Sequence, residues 1–382
     1  MNFALTEDQS MIRDAAESFL AEASNSAAVR AAMDLDTGFD PALWARIGQE
    51  MGWCATAIAE DHGGLGLSVV ELALLLEQMG HRLVCAPFFA TACLAATALL
   101  EAASVAAQAR WLPRIADGTL RATLAISAQG VGAVSPNLRS IGAIALRTSR
   151  GWQLDGRFGH VPDGASAELI LVVARLGESD ELGVFAVPAC APGLAPTPLV
   201  TWDATRRLAA LDIRGVQLAA DDRIDADPAH TREALDRTVA VAALLLAAEQ
   251  LGGAQQCLAL TLAYTAERVQ FGQAVASFQA VKHRCAQMMV QVEAARSAVY
   301  GAAAVAASRP ATRELAMEAG AAKAQASEAF FFCAQEAIQL HGGVGFTWEY
   351  DPQLYFKRAQ ASSQWLGTPQ QWRERIAREL LD

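Results

Sequence analysis

Several features that define other protein classes are missing from this sequence. It has seven cysteines in 382 residues but no C-x-x-C pair, so we expect buried thiols in a reduced protein rather than a disulfide or zinc framework. The first seven residues already include an acidic one, which disfavours a secretory signal. We therefore expect a cytoplasmic protein. The cysteines are Cys54, Cys85, Cys93, Cys190, Cys257, Cys285 and Cys333.

Basic charge and long apolar runs are also scarce. The chain has 30 Lys and Arg against 41 Asp and Glu, and this net charge of -11 disfavours nucleic acid and anionic membranes as partners. The apolar run at 239–248 is too short to cross a bilayer. With 53% hydrophobic and 19% charged residues, the chain is expected to be globular and long enough for two or three domains.

Apolar periodicity divides the chain into three parts. The first part has a helical period and opens with Thr6 and Gln9 at the spacing of a capping box. The second has short alternating runs separated by Gly, Pro and Asp, and the third returns to the helical period with stripes typical of an up-and-down four-helix bundle. We predict a mostly α protein with a helical domain at 1–118, a central β domain at 119–226 and a C-terminal helical bundle at 227–382.

The most informative stretch lies at 264–279 and reads Y-T-A-E-R-V-Q-F-G-Q-A-V-A-S-F-Q. Tyr264 and Arg268 are four residues apart, so they share one face at the end of a helix, and Gly272 permits a tight turn after it. A guanidinium, an amide and an aromatic ring this close together can hold a phosphate-linked aromatic ligand. A second stretch at 339–347, Q-L-H-G-G-V-G-F-T, has adjacent glycines that let backbone N–H groups approach a ligand.

These two stretches resemble the cofactor-anchoring signatures of the acyl-CoA dehydrogenase family of flavoproteins, and the helix–sheet–helix order agrees with that family's architecture. The resemblance implies FAD as cofactor, an acyl-CoA thioester as substrate and an electron-transferring flavoprotein as acceptor. It also implies a homo-oligomer or a similar second subunit, since a neighbour largely holds the FAD tail in this family. The residues implied in FAD binding are Arg268, Gln270, Phe271, Phe278, Gln279, Gln339, Gly342, Gly343, Thr368 and Gln370.

A simpler interpretation of the same residues is also open. Gly272 and Gly342 have the spacing of ordinary helix C-caps, and Arg268 and His341 would then face the negative ends of helix dipoles. The presence of both stretches in one chain, in the order that the family has, favours the family interpretation.

The family's chemistry requires a carboxylate that this chain lacks at the usual places. A carboxylate removes the α proton of the thioester while the β hydrogen leaves as hydride to the flavin. The resemblance places that carboxylate before a Gly-Thr pair, where this chain has Leu366. The other family location is on the first bundle helix, where the candidates are Thr238 and Ala242. None of the three side chains can abstract a proton.

The segments that would hold the flavin ring differ from the family as well. Residues 127–132 read S-A-Q-G-V-G, without the acidic residue of the family segment, and 160–164 read H-V-P-D-G in place of Trp-Ile-Thr-Asn-Gly. Pro162 has neither an N–H nor a hydroxyl to donate, and His160 replaces a Trp that shields the ring. The alternative is a locally diverged loop that still holds flavin through other atoms.

Glu249 is the remaining candidate for the catalytic base. It follows the apolar run and lies one heptad beyond Ala242, roughly on the same helix face. Burial there would raise its pKa, as a base requires, whereas pairing with an Arg or Lys would make it structural. Asp163 and Asp236 are weaker candidates because they lie in a loop and near a helix start.

Three functions remain open. The leading hypothesis is a subunit that resembles diverged subunits of heteromeric acyl-CoA dehydrogenases, catalysing α,β-dehydrogenation with a partner that supplies the carboxylate. The second is a self-sufficient homomeric enzyme with a displaced base. The third is a non-redox protein of the same fold that binds CoA thioesters or acts as a scaffold.

Overall fold

The computed structural model describes residues 5–128, 141–227 and 229–381. Helices come first, a sheet follows and helices end the chain, which confirms the predicted fold class. The helices are α1 (Glu7–Ala23), α2 (Ser26–Asp34), α3 (Pro41–Ala45), α4 (Val69–His81), α5 (Ala96–Ala102), α6 (Val105–Ala116), α7 (Thr231–Glu267), α8 (Gln279–Ala307), α9 (Thr312–His341), α10 (Pro352–Ser363) and α11 (Pro369–Leu381). The strands are β1 (Ala122–Ala125), β2 (Ala143–Thr148), β3 (Gly151–Pro162), β4 (Leu169–Leu176), β5 (Leu182–Pro188), β6 (Leu194–Pro198), β7 (Leu208–Leu218), β8 (Val269–Gln270) and β9 (Gln273–Ala274).

The change from helix to strand falls between Ala116 and Ala122, and the return to helix between Leu218 and Thr231. The exact domain limits at 118 and 226 stay predictions. Within the described ranges, every helix is too short or too polar to cross a membrane.

The central sheet has the strand order β1-β4-β2-β3-β7-β6, with β5 on the other side of β4. Strands β1 and β2 run parallel to β4, while β3, β7 and β6 form an antiparallel series. The pairing of β3 with β7 shifts register between Phe158 and Val161. His160 lies in this irregularity with a φ of 55°. Such bulges bend a strand and redirect a side chain, which here affects the segment predicted to lie near the flavin ring.

Strand β4 is buried on both faces, and one of these faces packs the sheet against the helices. Leu169, Leu171 and Val173 belong to the large core shared with the helices, while Ile170 and Val172 face a second core on the far side of the sheet. This alternation is the period of two that a strand imposes on its side chains. The face that packs against the helices forms the junction where the candidate site lies.

The helix α7 is the axis of the C-terminal part, and it packs on α4, α8, α9 and α10. Its crossing with α4 is very close because each helix has a glycine there that lies against the backbone of the other helix. A Cβ placed on Gly80 would lie 1.9 Å from the carbonyl oxygen of Glu249, and one on Gly252 would lie 1.8 Å from that of Glu77. Only glycine fits at such a backbone approach. The N-terminal helices are therefore held directly against the helix that carries Glu249.

Candidate active site and cofactor-anchoring surface

A cavity of about 500 Å³ opens where the sheet meets the C-terminal helices. It lies between the irregular end of β3, the segment that precedes β7, and the end of α10. The structure thus brings together His160 and the residues that directly precede Leu366, which are separated by some two hundred positions in the sequence. The side chains used below that line it are His160, Trp202, Arg206, Gln364 and Trp365.

The turn after α10 places Leu366 in the apolar core, next to the cavity-lining Trp365. Leu366 and Gly367 have φ angles of 52° and 94°, and the indole nitrogen of Trp372 donates to the Leu366 carbonyl oxygen at 2.8 Å. Thr368 accepts from the backbone N–H of Gln371 at 3.2 Å, so its hydroxyl begins α11. The position at which the resemblance places the base is therefore a buried leucine.

Glu249 is buried in a cluster of four charged side chains that joins the central β part of the chain to the C-terminal helices. Arg206 donates to its carboxylate at 2.5 Å, and Arg358 donates to the same group. Arg358 also donates to Asp203 at 3.0 Å. Burial raises the pKa of Glu249, but the two guanidinium groups outweigh burial and leave that pKa lowered. Of the two interpretations left open by the sequence, these contacts agree with a structural, paired glutamate rather than with a base whose pKa is raised by burial.

Arg206 also forms part of the cavity wall. Its guanidinium lies 4.5 Å from the ring of Trp365 and 5.2 Å from that of Phe89. Its Nη1 atom is buried and has no hydrogen-bond partner among the residues that the structure describes. A buried donor without a partner is costly, so this guanidinium is held beside the cavity at an energetic cost.

The other candidate positions contribute less. Thr238 and Ala242 are fully buried on α7, and the Thr238 hydroxyl donates to the Ala234 carbonyl at 2.8 Å. Burial raises the pKa of Asp163 to about 7 and that of Asp236 to about 6, although nearby arginines oppose both shifts. Gln129 to Gly132, from the other segment expected near the flavin ring, lie outside the described residues.

The two anchoring stretches lie against each other through a ring stack. Tyr264, near the end of α7, stacks on His341 at the end of α9, with centroids 4.4 Å apart and planes 18° apart. Tyr350 meets both rings edge-on. Burial lowers the pKa of His341, which favours the neutral ring in this stack. The stretches at 264–279 and 339–347 therefore form one continuous surface.

This anchoring surface is open to solvent. Phe271 is 92% exposed, has a φ of 55° and meets Phe278 edge-on at 6.3 Å. A Cβ placed on Gly342 or Gly343 would meet no other atom within 4 Å. Arg268, Gln270, Gln279 and Gln339 are exposed as well. Gly342 does cap α9, so the simpler interpretation holds for its backbone and is compatible with a ligand above it.

The sequence interpretation missed the residues that surround Glu249. Asp203, Arg206 and Arg358 had no motif that marked them, although the run D-A-T-R-R at 203–207 concentrates charge directly before a strand. That run was the one available signal. Its partners lie on α7 and α10, and only the fold brings them together.

The chain belongs to the acyl-CoA dehydrogenase family. It matches the family's N-terminal domain over residues 6–119 and its C-terminal domain over residues 233–381. Members of this family are FAD-dependent oxidoreductases, and the match confirms the family, the enzyme class and the cofactor inferred from the two anchoring stretches.

Among characterised relatives, acyl-CoA dehydrogenase IpdE2 of Mycobacterium tuberculosis is 36% identical over 374 residues, which is 98% of each chain. IpdE2 of Mycolicibacterium smegmatis is 33% identical over 98% of this chain and all of its own. The structure of the ChsE4-ChsE5 complex from Mycobacterium tuberculosis superposes with a TM-score of 0.88 at 27% identity, covering 100% and 99% of the two chains. A steroid acyl-CoA dehydrogenase variant, Tcur3481-Tcur3483, superposes with a TM-score of 0.86 at 29% identity, covering 98% of both chains.

Proposed function

We propose that this chain is one subunit of a heteromeric acyl-CoA dehydrogenase that performs α,β-dehydrogenation of an acyl-CoA thioester. A similar second subunit supplies the carboxylate that removes the α proton. The observation that carries the proposal is the ion-paired Glu249: with Leu366, Thr238 and Ala242 at the other positions, the chain's best base candidate is already held by two guanidinium groups.

The position of the anchoring surface supports a role toward a neighbour's cofactor. Arg268 directly follows the last residue of α7 and comes 19 residues after Glu249, which separates them by about 28 Å at 1.5 Å per residue. The anchoring surface thus lies at the C-terminal end of α7, well away from the mid-helix position of Glu249 beside the chain's own cavity. A dinucleotide tail bound at Arg268 would belong to a flavin whose ring lies in another subunit.

The residues present fit such a tail. Arg268 can pair with phosphate oxygens, the exposed ring of Phe271 can stack on adenine, and the space above Gly342 and Gly343 admits backbone contacts. When bound, FAD supplies the hydride acceptor of the reaction. Gln270, Phe278, Gln279 and Gln339 border the same surface, and Thr368 and Gln370 remain predicted contacts near the cavity.

The relatives support the assembly and the substrate class. A complex of two differently named subunits and a steroid acyl-CoA dehydrogenase are both similar to this chain over nearly its full length. We propose a thioester with a bulky, ring-derived acyl group as substrate and an electron-transferring flavoprotein as acceptor. A cytoplasmic location stays a prediction.

The test is to produce the chain alone and together with each similar acyl-CoA dehydrogenase subunit of the same organism. We expect a colourless, inactive lone chain and a yellow, active complex, measured by flavin absorbance and by turnover of acyl-CoA. A lone chain that is yellow, homo-oligomeric and active would overturn the proposal.

Arg268→Met examines the anchoring surface within that complex. Hydrogen bonds to charged groups contribute about 1.5–3 kcal/mol, so its FAD affinity should fall roughly 10- to 150-fold. Arg284→Met is the matched control, because Arg284 is exposed on α8 and its nearest carboxylate, Glu336, is 3.6 Å away. Equal FAD affinity in both variants would argue against a ligand at this surface.

A second candidate is a self-sufficient enzyme with Asp163 as a displaced base. Its raised pKa of about 7 favours this role, as does its place three residues after the cavity-lining His160. Asp163→Asn in the lone chain would then abolish turnover without loss of flavin. A lone chain without turnover before the substitution would eliminate this candidate.

A further inference from the structure

Lys323 is a basic residue that is fully buried, which is rare for a lysine. Its side chain is 0% exposed in the middle of α9. Within the part of the chain that the structure describes, no charged group offsets the effect of burial, which lowers the pKa of Lys323. Such a group is costly to bury, and a residue of similar volume without charge would fill the same space. Its contacts must therefore account for its presence.

The terminal amino group of Lys323 has three oxygen neighbours. Nζ lies 2.8 Å from the hydroxyl of Ser327, 3.3 Å from the carbonyl oxygen of Ser362 and 3.5 Å from that of Gly367. Ser327 is one turn further along α9, while the two carbonyls lie at the end of α10 and in the turn that follows it. One side chain thus joins α9 to both ends of the 362–367 segment.

This segment needs such support because its backbone is strained. Leu366 has the left-handed φ of 52°, which costs an ordinary L-residue roughly 1–2 kcal/mol. The strained conformation turns the chain directly after Trp365, whose ring lines the cavity and lies against Arg206. The bond from Trp372 to the Leu366 carbonyl holds the outer side of the turn. Lys323 holds the inner side.

The polar side chains around Lys323 form a hydrogen-bonded network that includes a residue of α7. Ser327 donates to the side-chain oxygen of Gln250 at 3.0 Å, and the Gln250 amide donates to the Ser362 hydroxyl at 3.0 Å. All three side chains are buried. Gln250 follows Glu249 on α7, whose carboxylate faces Arg206 and Arg358 instead. The network around the lysine is therefore separate from the charged cluster.

We infer that Lys323 is a positioning residue that holds the 362–367 turn in the conformation that presents Trp365 to the cavity. It acts through the backbone of the turn and does not itself line the cavity. The inference goes beyond the proposed function, because it applies whichever subunit supplies the base.

Two variants distinguish a positioning role of Lys323 from a role in which its side chain only fills space. Lys323→Met keeps the length of the side chain but has no donor, and Lys323→Gln keeps a shorter donor. The control is Lys282→Met, since Lys282 is exposed at the start of α8. Hydrogen exchange of peptides that cover 362–368 is measured in the assembled protein, with a peptide within α8 as internal reference.

We expect exchange in 362–368 to rise about tenfold or more in Lys323→Met, with less change in Lys323→Gln and none in the control. The reference peptide in α8 should be unaffected. Exchange within twofold of the parent protein in Lys323→Met would overturn the inference and leave Lys323 as a space-filling residue.

Amine labelling of the parent protein tests whether the turn is closed over Lys323, even if both variants fail to fold. Lys282, Lys323 and Lys357 are the lysines of the chain. An acylating reagent read out by mass spectrometry should modify Lys282 at least tenfold faster than Lys323, because Lys323 is reached only when the turn opens. Equal labelling of Lys323 and Lys282 would refute a closed turn held by a buried ammonium group.

Discussion

Glu249→Gln is the most decisive perturbation of the buried cluster. In the native protein, Asp203 and Glu249 balance the guanidinium groups of Arg206 and Arg358. The amide removes one negative charge and leaves two buried cations against one carboxylate. Removing one partner of a buried ion pair costs about 3–5 kcal/mol, because the other partner stays desolvated and uncompensated.

The expected loss converts into a measurable change in melting temperature. At roughly 2.1 cal/mol/K per residue, a chain of 382 residues has an unfolding entropy of about 0.8 kcal/mol/K. A loss of 3–5 kcal/mol then lowers Tm by about 4–6 °C. Thermal unfolding of the assembled protein, with and without the substitution, measures this shift.

Charge balance can be restored by a second substitution. Arg206→Met removes one cation, so the double variant Glu249→Gln with Arg206→Met is again neutral in the cluster. Its Tm should lie closer to the parent than that of Glu249→Gln alone, which is a coupling that independent sites would not have. If Glu249→Gln abolished turnover of an active lone chain with Tm unchanged, Glu249 would be the base and the reasoning would be refuted.

Three further predictions concern packing and pH. Gly252→Ala should cost about 3 kcal/mol or more in thermal unfolding, since its methyl group would lie 1.8 Å from the Glu77 carbonyl, whereas Gly177→Ala, at an open position with φ of 62°, should cost only about 1 kcal/mol. Asp163→Asn should gain stability relative to the parent between pH 5 and 7 in urea titrations. The parent carboxyl, with a pKa of about 7, stays protonated while the unfolded one ionises, so parent stability falls as pH rises through this window. Burial lowers the pKa of Lys323 to about 7, so above pH 7 the unfolded chain holds a proton that the folded chain has lost. Parent stability should therefore rise relative to Lys323→Met between pH 7 and 8.5, and parallel urea-derived profiles would contradict this.

The fold class was predictable because it depends on local periodicity. A strand alternates every two residues and a helix every 3.6, so runs such as 169–173 and the stripes of α8 and α9 could be assigned from their own residues. The order of the strands could not, since β1 and β2 both pair with β4 across segments of other structure. Strand pairing of this kind depends on contacts between distant residues.

The same distinction applies to the two parts of the candidate site. Arg268, Gln270 and Phe271 lie within one short stretch, so their combined chemistry was visible in the sequence. The charged cluster was not, because Asp203 and Arg358 are 155 residues apart. For Glu249 the sequence left two outcomes open, a carboxylate whose pKa is raised by burial and one paired with an Arg or Lys. Burial was correct, but the sign of the shift depends on partners that the sequence did not indicate.

The separation of the two sites along α7 bears on how one subunit could lose its base and keep its anchor. Exposed residues such as Arg268 and Phe271 have few packing contacts, so under the proposed function FAD binding rather than folding constrains their identity. Glu249 is locked into a buried cluster in which any single change leaves an unpaired charge. With about 28 Å between these regions, a substitution in the cavity need not disturb the anchoring surface. The additivity expected of such distant sites means that flavin affinity in the complex should respond to Arg268→Met and remain unchanged by the balanced Glu249→Gln and Arg206→Met pair.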